Sequence, residues 1–137
     1  MSDSKVIFRC DANSTIGSGH LMRSIALAEA CAELGLRPVF ATELMNSRDQ
    51  ERLLKRGFIH RPLPKGDTQS KVLAELKGDA LVVDRYDLPG DYLSPFAQTG
   101  RPILQLIDAG KPLSEVSIAL NQNLDAQIPE RDGLTRL

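Results

Sequence analysis

An apolar run, Val6-Ile7-Phe8, leads into a carboxylate at Asp11. A polar loop carrying Gly17 and Gly19 follows, and a long amphipathic pattern then begins at His20. That order is a strand, a tight turn and a helix N-terminus. Glycines in such a turn let backbone approach a ligand closely and present N–H groups to it, and the helix dipole favours an anion there. A histidine in the first helical turn adds a titratable base, so the segment is suited to chemistry or to binding.

The rest of the chain repeats the alternation of apolar runs with helical patterns that marks a parallel α/β sheet. Strands are expected at Lys5–Cys10, Pro38–Thr42, Phe58–Leu63, Ala80–Asp84, Ile103–Asp108 and Val116–Leu120. Helices are expected at His20–Leu34, Ser47–Arg56, Thr68–Lys77 and about residues 90–99, where Pro95 weakens the pattern. Gly35 and Pro38 punctuate the end of the first helix. Pro62 places its strand at a sheet edge, and the continuous apolar run Ala80–Val83 suits a strand covered on both faces. One domain over residues 1–124 is expected, with 125–137 as a polar linker or ragged end.

In a parallel sheet all carboxyl ends lie on one edge, and ligands of doubly wound folds bind there, where strand order reverses. The strands end in Asp11, in Asp84-Arg85-Tyr86, in Asp108 and in Asn121-Gln122-Asn123. If the first and fourth strands are neighbours, Asp11, the glycine turn, His20 and Asp84–Tyr86 share one cleft. Each piece has a structural alternative. Gly17 and Gly19 also serve a plain strand-to-helix turn, strand-end aspartates often cap helices, and Arg23 suits a solvated helix face. Asp11, His20, Asp84 and Asp108 lack the spacing of a metal site. A thiolate at Cys10 is disfavoured by the neighbouring Asp11, and His60 falls in the edge strand. There is no third glycine for a dinucleotide fingerprint and no Lys-Ser/Thr for a P-loop.

The order Arg9, Asp11, Ile16-Gly17-Ser18-Gly19-His20, Arg23, then Val82-Val83-Asp84-Arg85-Tyr86, Ile107-Asp108 and Leu120-Asn121-Gln122-Asn123, resembles a known family. It is similar to the N-terminal part of the UDP-2,4-diacetamido-2,4,6-trideoxy-altropyranose hydrolases of pseudaminic acid biosynthesis and of the related SpsG-type spore-coat polysaccharide proteins. Arg85 stands where that family commonly has histidine, and Ala109 where a second aspartate is usual. The resemblance implies a Rossmann-like, doubly wound parallel sheet like the N-terminal domain of a GT-B fold. It also implies a reaction in which water attacks the anomeric carbon of a UDP-linked amino sugar and releases UDP, with no cofactor and no metal. His20 is then the general base. At a helix N-terminus the dipole disfavours imidazolium, and a carboxylate such as Asp11 would hold the other ring nitrogen and fix its tautomer. Gly17, Ser18, Gly19, Arg23, Asp84, Tyr86, Asp108, Gln122 and Asn123 are the expected substrate contacts.

Other classes stay open: a non-catalytic sugar- or partner-binding α/β module, a GT-B-like glycosyltransferase half domain, or a nucleotide-binding oxidoreductase domain. The last is disfavoured by the missing glycine and by Thr42-Glu43 at the end of the second strand. A net charge of -1 and 4% aromatic residues without Trp argue against a nucleic-acid platform. The start of the chain lacks the apolar core of a signal peptide, no run is long enough to span a membrane, and two cysteines make no disulfide framework, so a reduced cytoplasm is expected. The family's nucleotide site is expected from a second domain or chain. The chain by itself should therefore bind UDP no better than millimolar, about −4 kcal/mol. Calorimetry checks this, and micromolar binding at one site per chain would place the nucleotide pocket within these residues.

Overall fold

The structure is a computed structural model and describes residues 4–12, 19–84, 88–107, 115–120, 133 and 135–136. Its strands are β1 (Lys5–Arg9), β2 (Arg37–Thr42), β3 (Ile59–Pro62), β4 (Ala80–Val83), β5 (Ile103–Leu106), β6 (Ile118–Leu120) and β7 (Thr135–Arg136). They form one sheet in the order β3-β2-β1-β4-β5-β6-β7, parallel at every pairing. The helices are α1 (Gly19–Glu33), α2 (Ser47–Lys55), α3 (Gln69–Glu75) and α4 (Ser94–Ala97). The expected Rossmann-like α/β architecture is therefore present. Strand order reverses between β1 and β4, which pair from Val6↔Ala80 to Arg9↔Val83.

Strand parity sorts the core into two layers. Val6, Phe8, Cys10 and Ala12 pack with Leu21, Ile25 and Ala28 of α1 and Leu53 of α2. Ile7 packs on the other face with Leu73 of α3, Leu93 and Phe96 of α4, and Tyr92. Successive side chains of a strand point to opposite faces, so helices cover both sides. On the α1 face Phe8, Phe40 and Phe58 stack, with centroids 5.1 and 5.6 Å apart.

Local signals explain the helix limits. Leu21, Ser24, Ile25 and Ala28 form the buried stripe of α1 at three- and four-residue spacing. Asn46 caps α2 by accepting from the Asp49 N–H at 2.8 Å. Gly35 and Gly57 end α1 and α2 at φ 86° and 74°, and the paired bonds Leu36 N–H to Cys31 and Gly35 N–H to Ala32 make a Schellman closure after α1. The helix expected near residues 90–99 shrinks to the four residues of α4, with Pro95 tolerated in its first turn. Arg101 ties α3 to α4: its guanidinium donates to the carbonyls of Ala74, Leu76 and Gly78 at the end of α3 and lies 4.0 Å over the Phe96 ring.

Pro62 ends β3 at the sheet edge, as expected, and Leu81, Val82 and Val83 of β4 are buried. One element was not expected. Within the stretch read as a linker, Thr135–Arg136 adds β7, its first N–H donating to the Ser117 carbonyl at 2.7 Å. Among the described residues no helix is long and apolar enough to cross a membrane.

The close approach of β1 to the start of β4 makes Gly78 critical. A Cβ there would lie 2.7 and 2.8 Å from Cγ1 and Cδ1 of the buried Ile7. Gly78→Ala should cost about 1–3 kcal/mol through overpacking. The midpoint of urea unfolding should fall with an unchanged slope, and an unmoved midpoint would show that Ile7 has room to yield.

Candidate functional site

The carboxyl edge of the sheet carries two polar clusters, one on each face. On the α1 face, β4 runs out into Asp84, which is 1% exposed. By parity Asp84 lies on the same side as Val82 and so turns towards α1. Its carboxylate receives three side chains from the first two turns of that helix. His20 Nδ1 is 2.9 Å from Oδ1. Arg23 donates through Nε to Oδ2 at 2.9 Å and also through its NH2 group to Oδ1. The buried Ser24 hydroxyl donates to Oδ2 at 3.1 Å. Residues 20, 23 and 24 share one helix face, which lets a single carboxylate collect all three.

His20 is the accessible member, its side chain 28% exposed against 16% for Arg23. Nδ1 also lies 3.1 Å from the Arg23 NH2 group. A ring nitrogen either donates or accepts, so these two contacts compete. Donation from Nδ1 to Asp84 makes Nε2 the lone-pair nitrogen of the neutral ring. Cys10 packs beneath, and burial first, with the charge of Asp84 second, pushes its thiol far above the ordinary value. It is therefore a neutral core residue, as expected.

On the opposite face Asp11 does something else. The carboxylate at His20 Nδ1 is that of Asp84, so the expectation that Asp11 holds the ring is corrected. Asp11 shares the parity of Ile7 and Arg9 and faces away from α1. Arg9 NH1 donates to Asp11 Oδ1 at 2.9 Å, and the N–H groups of Glu43 and Leu44 donate to the same oxygen at 2.7 and 3.0 Å. Arg9 is fully buried and also donates from Nε to the Tyr92 hydroxyl and from NH2 to Gln69 Oε1. Gln69 in turn donates to Glu43 Oε2 at 2.6 Å. Burial alone would lower the Arg9 pKa, but Tyr92 and Asp11 outweigh it and raise it. Burial would likewise raise Asp11, and the Arg9 charge with the two amides outweighs it, so its carboxyl lies below the usual range.

Of the expected site residues, the structure brings together His20, Arg23 and Asp84, with Gly19 opening α1 beside them. Gly17, Ser18, Tyr86, Asp108, Gln122 and Asn123 lie outside the described residues. Ser24, Glu43, Gln69 and Tyr92 were not expected to take part. Ser24 had a visible signal, a hydroxyl inside an apolar helical stripe; Gln69 and Tyr92 had none, since only folding brings them to Arg9. The second histidine, His60, rests against Thr42 Oγ1 at 2.6 Å on edge strand β3. Burial, then the charge of Arg61, lowers its pKa.

With this geometry in view, the fold can be compared with known proteins. No family model matches the chain, and no curated protein matches it. Among solved structures it is similar to MurG of Acinetobacter baumannii, with a TM-score of 0.63 at 10% sequence identity. The likeness is one of fold. It covers 96% of this chain and 44% of that one, so the chain spans less than half the length of MurG. The chain thus has a Rossmann-like α/β fold, similar to part of the GT-B-type MurG.

The depressed Asp11 pKa sets a pH dependence. Because the folded value lies below the ordinary 3.8, the stabilisation is complete above that pH and is lost as the pH falls through the folded value. Asp11→Asn removes the carboxylate bonded to the buried Arg9, leaving Glu43 at 4.0 Å as its remaining counter-charge, and should cost about 3 kcal/mol at neutral pH. The variant should also lose part of the fall in melting temperature expected of the parent as the pH drops from about 5 to about 2. Parental stability and parental acid dependence together would exclude this role for Asp11.

Proposed function

We propose that the chain is the base-bearing wall of an enzyme acting on a nucleotide-linked sugar, with His20 as the general base. The observation that carries this is the contact of His20 Nδ1 with the buried Asp84 carboxylate at 2.9 Å, at the head of α1 and beside the β1–β4 reversal. Asp84 is a positioning residue here: its two oxygens are taken by His20, Arg23 and Ser24. This replaces its expected role in binding substrate, and Asp11 acts by holding Arg9 and the end of β1.

In the hydrolase reading, drawn from the sequence resemblance, a water molecule lies between Nε2 and the anomeric carbon of a UDP-linked amino sugar. Nε2 takes the proton of the water as its oxygen bonds to that carbon. The bond from carbon to the diphosphate oxygen breaks, and UDP leaves with the electron pair. The resulting imidazolium is stabilised through Nδ1 by Asp84. Arg23, already paired to Asp84, fixes that carboxylate. The fold likeness to MurG favours a second reading, a GT-B-like glycosyltransferase half domain, in which the same nitrogen takes the proton from an acceptor hydroxyl.

The test is UDP release from a UDP-linked amino sugar, with and without a sugar acceptor, by a complete protein in which this chain is joined by the domain or chain expected to hold the nucleotide. His20→Asn should slow turnover by roughly 10²–10⁴-fold and leave UDP affinity unchanged. Asp84→Asn should slow it through the ring's orientation, with a changed pH profile. Release without acceptor supports the hydrolase, and acceptor dependence supports the transferase. Parental turnover in His20→Asn would exclude both.

A further inference from the structure

We infer a second ligand site on the face opposite His20: a cleft of about 450 Å³ for an unphosphorylated polyol or aminopolyol. The cleft opens at the carboxyl edge of the sheet among three segments. These are Glu43 just after β2, Gly66 to Ser70 between β3 and α3, and Leu88 to Tyr92 after β4. Its volume falls within the roughly 300–1,000 Å³ of small-molecule pockets. It is separate from the proposed base: His20, Arg23 and Asp84 take no part in its walls.

The class of ligand follows from which hydrogen-bonding groups the floor has already used. Gln69 and Tyr92 are 4% and 8% exposed and locked in place. The Tyr92 hydroxyl donates to Gln69 Oε1, and the Gln69 amide donates to Glu43 Oε2 and to the Pro64 carbonyl. Arg9, behind the floor, is fully buried with its N–H groups directed at Tyr92, Asp11, Cys10 and Gln69. The donors of the floor are thus committed inside the protein. Besides this floor the cleft is lined by the exposed Asp67 and Asp91, by Ser70, whose hydroxyl can donate or accept, and by Glu43, whose Oε2 accepts from Gln69 and lies 4.0 Å from Arg9. An anionic ligand would meet like charge there, whereas a ligand rich in O–H or N–H donors is complementary. Leu88, Pro89 and the ring of Tyr92 supply an apolar wall for the C–H face of a compact polyol. Among the described residues no three His, Cys, Asp or Glu side chains converge to hold a metal ion.

The test is amide NMR of this 137-residue chain titrated with glucosamine, N-acetylglucosamine and glucose 6-phosphate. Glucosamine and N-acetylglucosamine should shift the amides of Gly66, Ser70 and Tyr92, with glucose 6-phosphate at least about tenfold weaker. Ser70→Phe, which fills the cleft, should abolish these shifts while the rest of the spectrum stays native, and His20→Asn should leave them unchanged. Asp67→Asn combined with Asp91→Asn alters exposed side chains only. A loss of roughly threefold to tenfold confined to glucosamine would assign recognition to the amine, and equal behaviour of both sugars would assign it to hydroxyl groups. Absence of shifts at these residues with either sugar up to about 50 mM, or equal binding of the phosphate, would overturn the site.

Discussion

A single buried cation organises the carboxyl edge of this protein. Arg9 closes β1 with no exposed surface and spends its guanidinium on Cys10, Asp11, Gln69 and Tyr92. Its partners come from the chain beyond β1, from α3 and from the segment before α4, and Glu43 beyond β2 closes the ring through Gln69. Moving a charge out of water costs several kcal/mol, which is recovered only when every neighbour is placed to receive it. Asp11 beyond β1, Glu43 and Leu44 beyond β2 and the first turn of α3 are therefore bound to one another before any ligand arrives. The floor of the proposed second cleft is rigid for the same reason.

The alternation of side chains along β1 and β4 then divides the edge into two environments only one residue apart in sequence. Asp11 follows Arg9 on the α3/α4 face; Asp84 follows Val82 on the α1 face. Two aspartates that end neighbouring strands thus have unrelated tasks. One neutralises a buried guanidinium and is held ionised by it. The other gathers His20, Arg23 and Ser24 and orients the partly exposed His20 ring. Had α1 packed on the other face, Asp11 would have been the carboxylate within reach of His20. Crossovers between parallel strands are right-handed in nearly all sheets, which sets the face that such a helix covers.

The outline of the fold was legible because its signals are local. Apolar runs, amphipathic helical spacing, the glycine at 35 and the edge proline at 62 each act within a few residues of themselves. Even the pairing of β1 with β4 follows from the usual order of such sheets. The short α4 and the two-residue β7 were not legible. Their limits are set by packing against distant chain rather than by their own propensities.

For the candidate site, the sequence by itself determined which polar residues reach the carboxyl edge: a histidine at a helix head, an arginine one turn on, and carboxylates at strand ends. It also contained the parity that separates Asp11 from Asp84, since residues 9 and 11 must share a face and residues 82 and 84 must share another. Only the tertiary structure decided which face α1 covers, and hence which aspartate meets His20. It alone brought Gln69 and Tyr92, sixty and eighty-three positions along the chain, to the guanidinium of Arg9. The physical reason is that spacing along a strand or helix fixes direction. Partnership between groups far apart in the chain is fixed by which elements bury each other's apolar faces.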